Sequence, residues 1–287
     1  MIRSAIDSLT PSREFSRRDF VRTTLGSGFA AAVLPVTSQT LHTDTAGLTA
    51  GEVTVMVGDF RMPAYRAMPA GRSNLPVVLV VSEIFGVHEH IADVARRLAK
   101  QGYLAIAPEL FKRHGDAGAY TDIPKLITEV VSKASDAQVM RDLDATVAWA
   151  RANGGDTRRL GITGFCWGGR IVWMYAAHNP KLTAGVAWYG NLAQGFGAGQ
   201  KSAIERAPSI EAPMLGLYGG ADDGIPVDTV EKMRAALKAS GNHRSELVVY
   251  PDTPHGFHAD YRPTYRKAAA DDGWKRCLAW FKDHGVV

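Results

Sequence analysis

Only two cysteines, Cys166 and Cys277, occur in this chain of 287 residues, so at most one disulfide is possible and no disulfide framework holds the fold. Metal-ligand spacing is also missing: there is no H-E-x-x-H, and His88 and His90 stand too close in sequence to share one helical face. They are expected at the start of the first helix, near a pocket rim. Charge of one sign is scarce as well. Lys plus Arg number 33 against 29 Asp plus Glu, and half of this small surplus comes from residues 1–36, with five basic and three acidic side chains. The remainder is near balance, which gives nucleic-acid binding no support. Long apolar runs are absent too. Leu25 to Val36, broken by Gly26, Ser27 and Gly28, is short of the about 20 residues that span a bilayer, so no stable membrane anchor is expected. At 46% hydrophobic and 22% charged residues, the composition excludes collagen-like, wholly disordered and multispanning classes.

What is present begins with an address. Ser16-Arg17-Arg18-Asp19-Phe20-Val21-Arg22, leading into a Gly/Ala-rich apolar stretch, reads as a twin-arginine export signal. The implied partner is the twin-arginine export machinery and the implied location is the periplasm, with cleavage between Val36 and Ala50. Residues 1–45 are accordingly expected to be signal and disordered linker, and 46–287 one domain. Because that route carries folded proteins, a thiol can be buried before it meets an oxidising compartment.

From residue 52 onward, β-rich apolar runs alternate with segments of helical period, the α/β pattern of a mostly parallel sheet flanked by helices on both faces. The expected strands are Glu52 to Val57, Tyr65 to Met68, Val77 to Ser82, Leu104 to Pro108, Leu160 to Gly164, Ala184 to Tyr189, Met214 to Tyr218 and Glu246 to Tyr250. The central ones are nearly uninterrupted apolar stretches, as strands buried on both faces require. Helices are expected over His88 to Gln101, Ala134 to Ala152, Gly169 to His178, Val227 to Ser240 and Thr264 to His284. Gly195 to Gln200 lacks the Lys-Ser/Thr ending of a phosphate loop and reads as a surface excursion.

The strongest chemical signal is Gly164-Phe165-Cys166-Trp167-Gly168-Gly169 between an expected strand and an expected helix. This is the G-x-C-x-G form of a nucleophile elbow, whose glycines permit close packing while the central residue is strained and raised above the sheet. A helix start favours an anionic sulfur there. The N–H of Trp167, directly after the nucleophile, can donate to an oxyanion. Base and orienting acid follow in the expected order. Gly219 to Pro226 places Asp222 and Asp223 after a strand; the G-x-x-D-x-x-[VI]-P frame selects Asp222, with Asp223 as the alternative. Pro254-His255-Gly256-Phe257 follows the next strand and offers His255 as general base, with His258 as a minor alternative. Cys277, beside Leu278, Trp280 and Phe281, reads as packing.

From about Glu52 to Phe281 the chain resembles the dienelactone hydrolase family, α/β-hydrolases with a cysteine at the elbow. Ser82-Glu83-Ile84-Phe85-Gly86 is similar to that family's E-I-F-G segment. By this resemblance Glu83 contacts the cysteine at rest and gates its activation, and the Ile84 N–H joins that of Trp167 in the oxyanion hole. Pro108-Glu109-Leu110-Phe111-Lys112-Arg113 resembles the segment whose arginine binds a substrate carboxylate, at Arg113 here. A second arginine of the family falls on Ala259, with Arg262 nearby but off register. Trp167, Phe85, Phe257 and Tyr120 are candidates for an apolar wall. The implied activity is opening of a lactone or cleavage of a small ester through an acyl-thioenzyme, without metal or other cofactor, by a monomer. The competing expectation is a periplasmic binding or accessory protein that keeps the fold without turnover.

Overall fold

The computed structural model describes residues 40–197 and 200–287; the twin-arginine segment lies outside the described residues. Eight strands form one sheet: β1 (Leu48–Val57), β2 (Phe60–Pro69), β3 (Leu75–Val81), β4 (Leu104–Pro108), β5 (Gly155–Phe165), β6 (Ala184–Trp188), β7 (Met214–Gly219) and β8 (Glu246–Tyr250). Their spatial order is β1-β2-β4-β3-β5-β6-β7-β8. β1 and β2 run antiparallel at one edge, and every pairing from β4 to β8 is parallel. This is the α/β-hydrolase arrangement. Every residue of β3, β4, β6 and β7 is buried, which is why these segments carry no alternation of polar and apolar residues.

The helices are α1 (Glu89–Lys100), α2 (Ile123–Glu129), α3 (Asp136–Ala152), α4 (Trp167–His178), α5 (Ala203–Arg206), α6 (Val227–Ala239) and α7 (Lys267–Asp283). β5 shows how they cover both faces. A Cβ on Gly161 would meet Phe281 of α7 at 3.0 Å, whereas one on Gly164 would meet the Gly168 carbonyl of α4 at 2.5 Å. Residues an odd number apart point to opposite faces, so α7 and α4 sandwich the strand.

Several boundaries differ from expectation. β5 begins at Gly155 because Leu75 and Pro76 of β3 pair with Gly155 and Asp156 before a register break. α7 begins only at Lys267, since Arg266 N–H donates to the Phe257 carbonyl and the chain from Ala259 to Tyr265 is spent in turns. The short helices α2 and α5 were not anticipated, although α5 carries a Ser202/Glu205 capping box. Residues 41–45, expected to be linker, instead run across α1. Leu41 N–H donates to Asp260, Thr43 N–H to Asp93, and Arg96 Nε to the Thr43 carbonyl. Asp93, Arg96 and Asp260 are nearly inaccessible to water, so this segment supplies partners that solvent does not.

Candidate active site

The elbow forms where β5 ends. Cys166 caps α4 with φ +54 and ψ −114, outside the regions an L-residue ordinarily visits. Its N–H is tied to the Trp188 carbonyl at 3.0 Å, at the end of the neighbouring strand. What forces the strain is crowding: a Cβ on Gly168 would lie 2.3 Å from the Val81 carbonyl, so the helix touches the end of β3 directly. Trp167 is the first residue of α4, and its N–H therefore has no intrahelical acceptor.

Chain segments far apart in sequence converge on Cys166. His255 Nδ1 lies 2.7 Å from Asp222 Oδ2, and both residues are buried. Asp222 Oδ1 accepts the Gly224 and Ile225 N–H groups at 2.9 and 3.2 Å, which fixes the carboxylate's orientation. The carboxylate that reaches His255 is thus that of Asp222. With Nδ1 so engaged, the other ring nitrogen faces Cys166. Burial alone would lower the His255 pKa, but the sulfur, the Asp222 carboxylate and the hydrogen bonds to both outweigh it and raise it. His258 is turned away, its ring 4.5 Å from Trp188 and 5.0 Å from Phe165, and burial holds it neutral. Cys277 is fully buried, and burial pushes its thiol up to about 12.

Cys166 and His255 line a cavity with Tyr189, Asn191, Phe196, Gly224 and Ile225. The apolar wall is therefore not the expected one. Trp167 packs under Phe111, with ring centres 4.5 Å apart, Phe257 packs against Trp188, Tyr189 and Tyr250, and Tyr120 hydrogen-bonds Glu129. Phe196 comes from the stretch read as a surface excursion, where its N–H is held by the Gln200 side chain. Tyr189, in a left-handed backbone conformation at φ +38, was not singled out either. Its position just past the end of β6 is the available signal. The Tyr189 hydroxyl is buried and has no hydrogen-bond partner among the described residues.

Beside the cavity lies a second cluster. Glu83 is fully buried; its Oε2 accepts from the Tyr261 hydroxyl and its Oε1 lies 3.5 Å from Arg262 Nη1. The resemblance implied a contact with Cys166, and the hydrogen bond runs to Tyr261 instead. Burial alone would raise the Glu83 pKa; the guanidinium and the phenol outweigh it and hold the carboxyl below the usual range. Arg262 is itself buried and interacts electrostatically with the Cys166 sulfur. Its offset from Ala259 is absorbed by a turn, in which Arg262 N–H donates to the Ala259 carbonyl at 3.0 Å. Gly256 makes room: at φ +73, a Cβ there would lie 2.8 Å from Arg262 Nη1.

Arg113 is placed elsewhere. Its Nη2 donates to Asp142 at 2.6 Å and its guanidinium lies 3.8 Å above the centre of the Phe60 ring. The reason is electrostatic, because the Asp142 carboxylate is 1% exposed and needs a cation. The expected carboxylate-binding role thus loses Arg113 and gains Arg262 as a candidate. His88 and His90 do stand at the start of α1, but they are buried around Tyr261, with ring centres 4.9 and 5.4 Å from its ring, and do not line the cavity.

Comparison with known proteins agrees with this architecture. The profile of the Dienelactone hydrolase family matches residues 62–285. A protein of Methylorubrum extorquens named "Putative carboxymethylenebutenolidase" is 56% identical over 98% of this chain and 97% of its own length. One of the same name from Escherichia coli is 53% identical over 92% and 97%. A crystal structure titled "Putative Dienelactone Hydrolase", from Klebsiella pneumoniae, superposes with a TM-score of 0.79 at 55% identity, covering 82% of this chain and 98% of that one. A dienelactone hydrolase-like promiscuous phosphotriesterase from metagenomic libraries shares the fold, with a TM-score of 0.69 at 24% identity over 83% of this chain and 99% of that one. The chain belongs to the dienelactone hydrolase family, and it is a hydrolase of the α/β fold.

Proposed function

We propose that the protein opens a lactone or cleaves a small carboxylic ester, in the manner of a carboxymethylenebutenolidase, through Cys166, His255 and Asp222. The observation that carries this reading is the convergence of the strained Cys166 with a His255 that is hydrogen-bonded to the buried Asp222, with Cys166 and His255 both lining one cavity. The sulfur, its proton held by His255, adds to the acyl carbon. The resulting oxyanion is held by the N–H groups of Ile84 and Trp167. Collapse breaks the acyl–oxygen bond, and His255 gives its proton to the leaving alkoxide or enolate, which in a lactone stays attached to the acyl chain. Water then adds to the thioester with His255 taking its proton, and the departing sulfur regenerates Cys166.

Arg262 supports a preference for acidic substrates. Its guanidinium lies in the buried cluster beside the cavity, next to Glu83, and a planar fork suits a carboxylate. Glu83 occupies that charge in the absence of substrate, with Tyr261 as its second partner. The Tyr189 hydroxyl offers a further donor to the bound ligand. The Arg17-Arg18 sequence context supports export by the twin-arginine route with Cys166 already enclosed, and the protein is proposed to work as a periplasmic monomer.

The test is hydrolysis of dienelactone and aryl esters by wild type, Cys166→Ala and His255→Ala. Both variants are expected to lose at least about a thousandfold in kcat, and iodoacetamide is expected to label Cys166 alone. Full turnover by Cys166→Ala would rule the mechanism out.

A further inference from the structure

An oxyanion hole works only if its donors are fixed before the charge develops, to within about half an ångström. Ile84 sits on an irregular turn between β3 and α1, residues 82–88, with no ladder to hold it. Something else must hold that turn. Behind it stands Glu109, the first residue after β4, whose own N–H is fastened to the Pro63 carbonyl of β2 at 2.9 Å.

The Glu109 side chain reaches across to the turn. Oε2 accepts the Val87 N–H at 2.8 Å. The same carboxyl fills the space above Gly86, where a Cβ would come within 2.7 Å of Oε1 and 2.9 Å of Oε2. Gly86 has φ +76, so both its conformation and its contact exclude a side chain. One carboxyl therefore pins two successive residues of the turn that carries Ile84 and Glu83. Glu109 is 6% exposed, and Oε1 has no hydrogen-bond partner among the described residues.

We infer that Glu109 is a positioning residue of the hydrolytic site, a brace that holds the Ile84 N–H in place for the oxyanion by clamping Gly86 and Val87. The inference rests on the reading of Cys166 as nucleophile and Ile84 as oxyanion donor. It carries a pH dependence as well. Burial raises the carboxyl to about 7, with Asp116 adding to the rise and Lys112 and the Val87 and Phe111 N–H groups opposing it. Across neutrality the brace passes from a neutral acceptor to a charged one, which binds the Val87 N–H more strongly.

Ester turnover and the rate of Cys166 alkylation by iodoacetamide, which needs no oxyanion hole, separate this role from a structural one. Glu109→Ala is expected to lose kcat by at least about tenfold with little change in KM, while alkylation proceeds at the wild-type rate. Glu109→Gln keeps an oxygen for the Val87 N–H and is expected to recover most of kcat, but to lose the inflection near neutral pH. Any one of three results would overturn the inference: wild-type kcat in Glu109→Ala, parallel loss of turnover and alkylation, or an unchanged pH profile in Glu109→Gln. Should Cys166→Ala itself turn over esters, the fault would lie with the hydrolytic reading. An inactive Cys166→Ala beside a fully active Glu109→Ala would place it with the brace alone.

Discussion

Two arginines show how a residue's role follows from its partner. Arg113 compensates Asp142, a carboxylate with almost no access to water, while Arg262 faces Glu83 beside Cys166. Arg262→Ala should raise KM for acidic lactones and esters by about tenfold or more and leave neutral esters within about twofold, because a charge-assisted pair is lost only with the former. Steady-state kinetics on matched substrates checks this; equal changes on both classes would remove Arg262 from carboxylate recognition. Arg113→Ala should leave that ratio unchanged yet destabilise the fold by about 2 kcal/mol or more, since Asp142 would remain buried and unpaired. Urea unfolding measures it. The sequence offered Arg113 by its place after β4 and set Arg262 aside for its register, because a turn from Ala259 to Arg262 cannot be counted along a chain.

Among the elements, the β5–α4 junction is the most constrained. Gly168 lets the first turn of α4 rest on the end of β3, with the Val81 and Ser82 carbonyls at 2.3 and 2.5 Å from where a Cβ would stand. Gly168→Ala should therefore push α4 away from β3, cost about 1–3 kcal/mol, and lower kcat by moving the Trp167 N–H. Thermal unfolding and kinetics together test this. All eight strands and the five long helices were legible from apolar runs and helical spacing. The short α2 and α5 were not, because four to seven residues give too little periodicity to register. Nor was the contribution of Asn191 and Phe196 to the cavity, since they come to line it beside Cys166 only after the chain folds back.

At the scale of the molecule, ionisation in the buried site couples function to stability. His255 has a raised pKa in the folded state, so its charged form contributes stability that is full below its unfolded value of about 6.5 and is lost as pH rises through the folded value. The Tm difference between wild type and Asp222→Asn should accordingly be largest between about pH 5 and 6.5 and shrink toward alkaline pH. A difference independent of pH would mean that the pair adds nothing through ionisation.

The sequence by itself determined the α/β layering, the strained Cys166 at the β5–α4 junction and the chain order in which Asp222 and His255 follow it after later strands. Each of these is written in local pattern: buried strands are continuously apolar, an elbow needs small residues at fixed spacing, and the loops that follow strands end at one edge of the sheet. Only the tertiary structure decided that the Asp222 carboxylate is the one bonded to His255, that Glu83 pairs with Tyr261 and Arg262, and that Glu109 clamps the turn bearing Ile84. Those choices rest on distances between side chains from separate loops, many of them far apart in sequence, and on charges that must find partners once water is gone.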